Sequence, residues 1–351
     1  MEQRLEPERV WLGWTERVYA SVPLSPAVVG VAIAGVLVLA FGVSEVAFGR
    51  HLLLRDVEYP FAALLLSEAR IAVVHCLLAV YLPTAYVYLL QSYRSTLGQL
   101  RGGLVSSDSE VADLRARIGR YGPVALGLAG LVGVGVVLLI TRGTTPAHVN
   151  PWDWSAQLQE TRWHRVLTPW IGWWAAIFLL AGAVESLRLR RLATRVPRID
   201  LLDLRSLWPF TRQALLNALL TAGLVAIGLL ILVDTGFWDT VLTYWIVMSA
   251  AITLLLVLSL LPLYRLIRDA KRRELDWCRD ALIRERTTLR EGGAELSRIE
   301  EVVAYRGVVE GVSAWPADSS TLVRFSLYLL IPLGSWAGGA VVERFVDSLL
   351  G

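Results

Sequence analysis

Seven long apolar stretches, separated by polar segments, dominate the pattern of hydrophobic and polar positions. A helix rises about 1.5 Å per residue, so about 20 apolar residues are needed to cross roughly 30 Å of hydrocarbon. The pattern predicts an all-α fold, a polytopic integral membrane helical bundle with about seven transmembrane helices. The stretches lie at approximately 26–48, 71–92, 122–141, 166–187, 214–233, 241–264 and 322–346.

A polar segment near the C-terminus, residues 265–321, has a helical pattern of its own. Apolar residues recur every three or four positions from Leu263 to Leu289, which predicts that the sixth stretch continues as a helix beyond the membrane. Two glycines at 292–293 end this helix, and a second amphipathic helix is predicted from Ala294. We therefore expect a helical hairpin in this segment.

Composition agrees with a membrane protein. Hydrophobic residues make up 55% of the chain and the mean hydropathy is +0.53, which excludes an ordinary soluble domain. Cys76 falls in a predicted membrane helix and Cys278 in the polar segment that follows the sixth. These two cysteines provide no disulfide framework.

Basic residues are divided unevenly between alternate loops. The N-terminus and the loops 93–121, 188–213 and 265–321 carry 26 Arg and Lys, and the opposite set carries 7. Because cytoplasmic loops hold the excess, we expect an inside N-terminus and an outside C-terminus in the cell (inner) membrane. The chain is predicted to contain a cytoplasmic or interfacial N-terminal segment (1–25), six transmembrane helices with their loops (26–264), a cytoplasmic helical hairpin (265–321), and a seventh transmembrane helix with a short outer C-terminus (322–351).

Ionisable residues within the apolar stretches fall near the ends of these stretches, as Glu45, Glu185 and Arg324 do. Coupled transporters and proton pumps use such groups near the bilayer midplane, so coupled transport is disfavoured. The nucleotide-binding pattern Gly-x-x-x-x-Gly-Lys-Ser/Thr and the zinc-binding pattern His-Glu-x-x-His are both absent. We predict no catalytic residue, metal site or cofactor.

Five arginines, with no acidic residue among them, follow the fourth apolar stretch. Such a cluster at the inner leaflet attracts anionic lipids, by about 1 kcal/mol per charge. We favour the interpretation that this cluster serves only to fix the orientation of the chain in the membrane. Specific contact with anionic lipids is the alternative. The candidates for lipid contact are Arg188, Arg190, Arg191, Arg195 and Arg198.

Histidine and tryptophan gather on the predicted outer side. No two histidines have the spacing of metal ligands, so scattered residues are favoured over a metal or haem site. Six of the fourteen tryptophans lie between residues 152 and 174, which predicts a helix along the outer surface, with a ligand-binding aromatic cage as the alternative. The histidines are His51, His75, His148 and His164.

The seventh stretch combines a proline with two small-residue motifs, Gly334-x-x-x-Gly338 and Ser335-x-x-x-Gly339. Small residues at this spacing let helices approach closely in lipid. One interpretation is packing within the chain, against glycines of the third stretch; the other is contact between copies of the seventh helix around a pore. The candidates are Pro332, Gly334, Ser335, Gly338 and Gly339, with Glu343 and Asp347 as an acidic ring at the outer end.

The best hypothesis for function is an oligomeric passive ion channel with the seventh helix near the pore. Alternatives are a non-conducting scaffold or accessory subunit that binds a cytoplasmic protein, and a membrane enzyme or metal or haem site on the outer face. The expected partners are the lipid bilayer, anionic lipids at the inner leaflet and further copies of the chain, with no nucleic acid. The order of helices and the enlarged last inner loop resemble the insect chemoreceptor channels, in architecture and not in any sequence motif, and this resemblance implies a channel.

Overall fold

The computed structural model describes residues 13–47, 67–99, 108–142, 163–193, 200–201, 204–232, 241–290, 296–316 and 319–350. Within these ranges all regular secondary structure is helical. Two short 3₁₀ helices, Leu204–Leu207 and Leu230–Leu232, flank one of the α-helices. The α-helices are α1 (Gly13–Ala20), α2 (Pro26–Ala47), α3 (Ser67–Gln99), α4 (Asp108–Arg117), α5 (Pro123–Arg142), α6 (Trp163–Ala193), α7 (Trp208–Leu229), α8 (Leu242–Arg290), α9 (Leu296–Gly311) and α10 (Ser319–Leu350).

The seven apolar stretches lie on α2, α3, α5, α6, α7, α8 and α10. Two parts of helix α8, Tyr244–Leu254 and Ser259–Thr288, meet at a bend of 40°. Counted as one span, they make α8 a sixth helix of membrane length. The apolar part of α5, Pro123–Leu139, is shorter. The protein thus has the helices of a membrane protein, while the count of seven spans and the orientation stay predictions. The five helical segments that are long and apolar enough to cross a membrane are Pro26–Ser44, Arg70–Gln99, Leu167–Leu192, Trp208–Leu232 and Val323–Val342.

Prolines help to begin these helices and to bend them. Pro26 and Pro123 open α2 and α5, where a backbone N–H would have no partner within the helix. Pro262 lies inside α8, directly after the bend. Because proline has no N–H to donate to the carbonyl four residues earlier, it weakens the helix at that point.

Helix α3 is the centre of the bundle. It packs against α2, α6 and α7, while α5 packs against α6 and α10 against α7. In the most apolar part of each span, 67% of the residues of α3 are buried, compared with 17% for α2 and 11% for α10. The peripheral helices expose large apolar side chains such as Val31 and Leu131. An exterior of this kind fits a lipid environment.

Beyond the apolar part of α8, the helix continues to Arg290, and α9 packs along this extension. The rings of Trp277 on α8 and Tyr305 on α9 meet edge to face, with 6.0 Å between their centroids. The ammonium group of Lys271 donates to the carbonyl oxygen of Glu310 at 2.7 Å, near the C-terminal end of α9. The two helices therefore form a packed pair; its cytoplasmic location is a prediction.

Candidate functional site

Helix α10 is held against the bundle along one face. Pro332 on this face is buried, and the Ser335 hydroxyl lies 3.1 Å from the carbonyl oxygen of Ala226 on α7. The indole N–H of Trp336 donates to the carbonyl oxygen of Leu232 at 3.4 Å. These contacts fix which side of α10 faces α7.

A strip of α10 beside this contact is open. A Cβ atom placed on Gly334 or on Gly338 would meet no neighbouring atom within 4 Å, and both glycines are exposed. The motif Gly334-x-x-x-Gly338 is therefore exposed, whereas the motif Ser335-x-x-x-Gly339 is partly covered, because Ser335 contacts α7 and Gly339 is half-buried. Glu343 and Asp347 also belong to α10, but their side chains lie outside the described part of the structure.

Two glycines of the third apolar stretch, Gly130 and Gly133, are packed against α6, whereas Gly127 and Gly135 have no neighbouring atom within 4 Å of a Cβ position. A Cβ atom on Gly130 would collide with the ring of Trp173, and one on Gly133 would collide with the carbonyl oxygen of Gly172. These two glycines accordingly give α5 its close approach to α6. They are already covered, so they are not the smooth surface that matches Gly334 and Gly338.

The first member of the arginine cluster is partly buried and is held by neighbouring groups of the protein. Arg188 Nη1 lies 2.7 Å from Oε1 of Glu185 and 2.7 Å from the carbonyl oxygen of Arg117. Glu185 is only 1% exposed, and the same carboxylate oxygen accepts hydrogen bonds from the Gly119 N–H and the Tyr121 hydroxyl, at 3.2 and 2.9 Å. These contacts tie the turn that precedes α5 to α6.

This turn requires particular residues. Gly119 has a φ of 77°, in the left-handed region that glycine adopts without a steric penalty. Burial, and then the neighbouring Glu185 carboxylate, raises the pKa of Tyr121, which keeps the tyrosine hydroxyl a neutral donor. The guanidinium of Arg188 also lies over the Tyr121 ring, 5.7 Å from its centroid.

The other four arginines have different positions. Arg190 and Arg191 are exposed near the end of α6, and Arg195 and Arg198 lie outside the described residues. Of the two exposed side chains, that of Arg190 lines a crevice between helices. Of the described members of the cluster, Arg188 therefore has a structural role, and Arg190 and Arg191 are exposed.

A network of polar side chains joins α3 to α7. The carboxamide oxygen of Gln213 accepts hydrogen bonds from the hydroxyls of Ser92 and Thr96, at 2.7 and 3.1 Å. The carboxamide nitrogen of Gln213 donates to Oδ1 of Asn217 at 3.0 Å. Side-chain hydrogen bonds therefore link two amides within an otherwise apolar bundle.

Asn217 extends this network to α6. Its Nδ2 donates to the Tyr93 hydroxyl at 2.7 Å and to the Ser186 hydroxyl at 3.1 Å. The two hydroxyl oxygens are themselves 2.9 Å apart. The network thereby connects α3, α6 and α7 at one end of the bundle.

A small crevice that opens to the surroundings lies beside the network between α3, α6, α7 and α8. Phe210 and Leu263 contribute apolar wall, and Arg190 lies on its rim. Sequence reasoning missed this site because it began the fifth stretch after Gln213 and did not weigh Asn217. The available signal was the pair of amides four residues apart at the start of an apolar helix.

The predicted outer side shows no histidine cluster in the described part of the chain. His75 Nδ1 lies 2.7 Å from the carbonyl oxygen of Ile71 in its own helix. His51 and His148 lie outside the described residues, as does the side chain of His164. Within the described ranges, no group of three or more His, Cys, Asp or Glu is placed to hold a metal ion.

Three of the clustered tryptophans contact neighbouring helices. Trp174 is 1% exposed, and the indole N–H of Trp170 donates to the carbonyl oxygen of Ala79 on α3 at 3.0 Å. Trp173 covers Gly130. These side chains support the packing of α3, α5 and α6, whereas Trp152 and Trp154 fall outside the described part.

Comparison with known proteins adds no family to these observations. No protein-family model, no curated protein and no solved structure matches this chain.

Proposed function

We propose that the protein is an oligomeric passive ion channel in which the α10 helices of neighbouring copies meet beside the conducting path. The observation that carries this proposal is the open face of α10 at Gly334 and Gly338. Acyl chains can cover any apolar surface of a lipid-facing helix. Two exposed glycines one turn apart also allow the backbone of another helix to come close, because they have no side chain to hold it away.

A second copy of the same chain is the natural occupant of this face. Most oligomers of one chain are symmetric, so each α10 would meet an identical or equivalent surface of its neighbour. Ser335 and Trp336 fix the rotation of α10 by their contacts with the α7 side. The open glycines lie beside this contact and are exposed in each copy.

Passive conduction is favoured over coupled transport. A path lined by backbone and small side chains supplies dipoles without a titratable group. In the described helices, Glu185 is paired with Arg188 in the C-terminal third of its span, where it secures a turn. An ion-coupled carrier would instead place such a carboxylate at the midplane.

A non-conducting scaffold is the second candidate, and the α8–α9 pair favours it. Apolar side chains on these helices remain about half exposed, including Trp277, Ile283 and Val308. Exposed apolar residues beyond a membrane-length segment form a surface suited to a protein partner. This surface is equally compatible with a channel that also recruits a partner.

Purified protein reconstituted in liposomes distinguishes the two. A channel predicts ion flux that scales with the amount of protein, together with an oligomeric mass by native mass spectrometry. Oligomer formation without flux would support the scaffold. A monomer without flux would overturn the channel proposal.

A further inference from the structure

The wall of the crevice beside the polar network carries hydrogen-bond donors that the network itself does not use. The carboxamide oxygens of Gln213 and Asn217 already accept hydrogen bonds. Gln213 Nε2 carries two hydrogens and gives one to Asn217, which leaves the second. Tyr93 and Ser186 share one hydrogen bond between their hydroxyls, which leaves the hydrogen of one of them.

A cation stands at the rim of the same crevice. Arg190 is exposed and makes no hydrogen bond or ion pair in the described part of the chain, whereas Arg188, half a turn earlier, is held by Glu185. Among the described residues that line the crevice, none is acidic. This described lining combines one guanidinium with neutral donors.

The crevice lies where the apolar part of the bundle ends. Arg190 is close to the end of the span Leu167–Leu192, and Phe210 is near the start of the span Trp208–Leu232. Phe210 and Leu263 give the crevice apolar walls. A ligand with a charged group and an apolar portion would thus meet both kinds of surface.

We propose that this crevice is a binding site for a phosphate group, held by Arg190 with Gln213 and the Tyr93–Ser186 hydroxyl pair as neutral donors. Arginine and neutral donors together match the several acceptor oxygens of a phosphate. The phosphate could belong to the headgroup of an anionic phospholipid or to a soluble phosphate compound. The site is distinct from the α10 face and does not depend on conduction.

The test uses the whole purified protein in detergent and three variants, Arg190→Gln, Arg190→Lys and Arg191→Gln. Arg191→Gln is the matched control, because it removes the same charge from the adjacent exposed position. Each protein is titrated with phosphatidylglycerol, phosphatidylcholine and inorganic phosphate, and bound ligand is measured by native mass spectrometry. A monodisperse elution profile verifies that each variant is folded.

We expect the wild type to bind the ligand saturably. Arg190→Gln should weaken the affinity about tenfold, which is the equivalent of one charge-assisted hydrogen bond. Arg191→Gln should keep the affinity within twofold of wild type. Arg190→Lys should fall between them, since lysine keeps the charge and loses the planar fork. Binding of phosphatidylglycerol alone would identify a lipid headgroup as the source, and binding of inorganic phosphate as well would identify the phosphate itself. Non-saturable binding, or equal losses in Arg190→Gln and Arg191→Gln, would overturn the proposal.

Discussion

Gly133 of α5 and Gly172 of α6 face each other so closely that a Cβ atom on Gly133 would collide with the carbonyl oxygen of Gly172. Gly135, two residues later on the same helix, has no neighbouring atom within 4 Å of the equivalent position. The two glycines of one helix therefore differ completely in what they permit. The first allows two backbones to touch, and the second lies in open surroundings.

This difference predicts opposite results for one substitution. Gly133→Leu should separate α5 from α6 and destabilise the fold by about 1 to 3 kcal/mol, because a large side chain cannot fit between the two backbones. Gly135→Leu should leave stability nearly unchanged. The measurement is the yield and melting temperature of the monodisperse protein. Equal stability of the two variants would show that α5 and α6 do not cross at Gly133.

The apolar stretches predicted the helices well, because the length and continuity of an apolar run are local properties. Small residues also indicated that close helix contacts exist, but spacing along one helix does not name its partner. The glycines of α5 were therefore considered as a surface for the seventh helix, whereas Gly133 meets Gly172 of α6. The partner depends on how separate helices are arranged, which a hydrophobic pattern does not contain.

The polar crevice was missed for a related reason. A scan for apolar runs treats Gln213 as the edge of a stretch and averages Asn217 with its neighbours. The two amides form a network only because they hydrogen-bond to Ser92 and Thr96 of α3 and to Ser186 of α6. A network of three helices is invisible until those helices are brought together.

The Glu185 carboxylate should stabilise the turn before α5. Glu185→Ala removes the shared acceptor of Arg188, Gly119 and Tyr121, and we expect a loss of about 1 to 3 kcal/mol, because buried donors are left without a partner. The measurement is the melting temperature together with protease cleavage between residues 118 and 122.

An exposed ion pair provides the control for this prediction. Asp113 and Arg117 pair at 3.0 Å on α4, and both side chains are more than half exposed. Asp113→Ala should therefore cost no more than about 0.5 kcal/mol. A Glu185→Ala variant as stable as Asp113→Ala would contradict the structural role of the buried carboxylate.

The orientation that the 26 to 7 division of basic residues predicts can be tested by reporter fusions. A reporter that is active only outside the cytoplasm should work at the C-terminus, and a cytoplasmic reporter should work after Arg195 and after Gly293. Both termini on one side would remove one span from the predicted set. Such a result would also place the α8–α9 pair outside the cytoplasm, or the C-terminal end of α10 inside it.

The central claim is that the open face of α10 is where copies of this chain meet around a conducting path. The most direct measurement is ion flux in liposomes that contain equal amounts of wild type, Gly338→Leu or Gly135→Leu, the last being an equally open glycine on α5. We predict flux from wild type and Gly135→Leu, and at least a tenfold loss for Gly338→Leu with its monomer still folded, since leucine holds the helices apart. Wild-type flux that Gly338→Leu leaves unchanged would contradict the account.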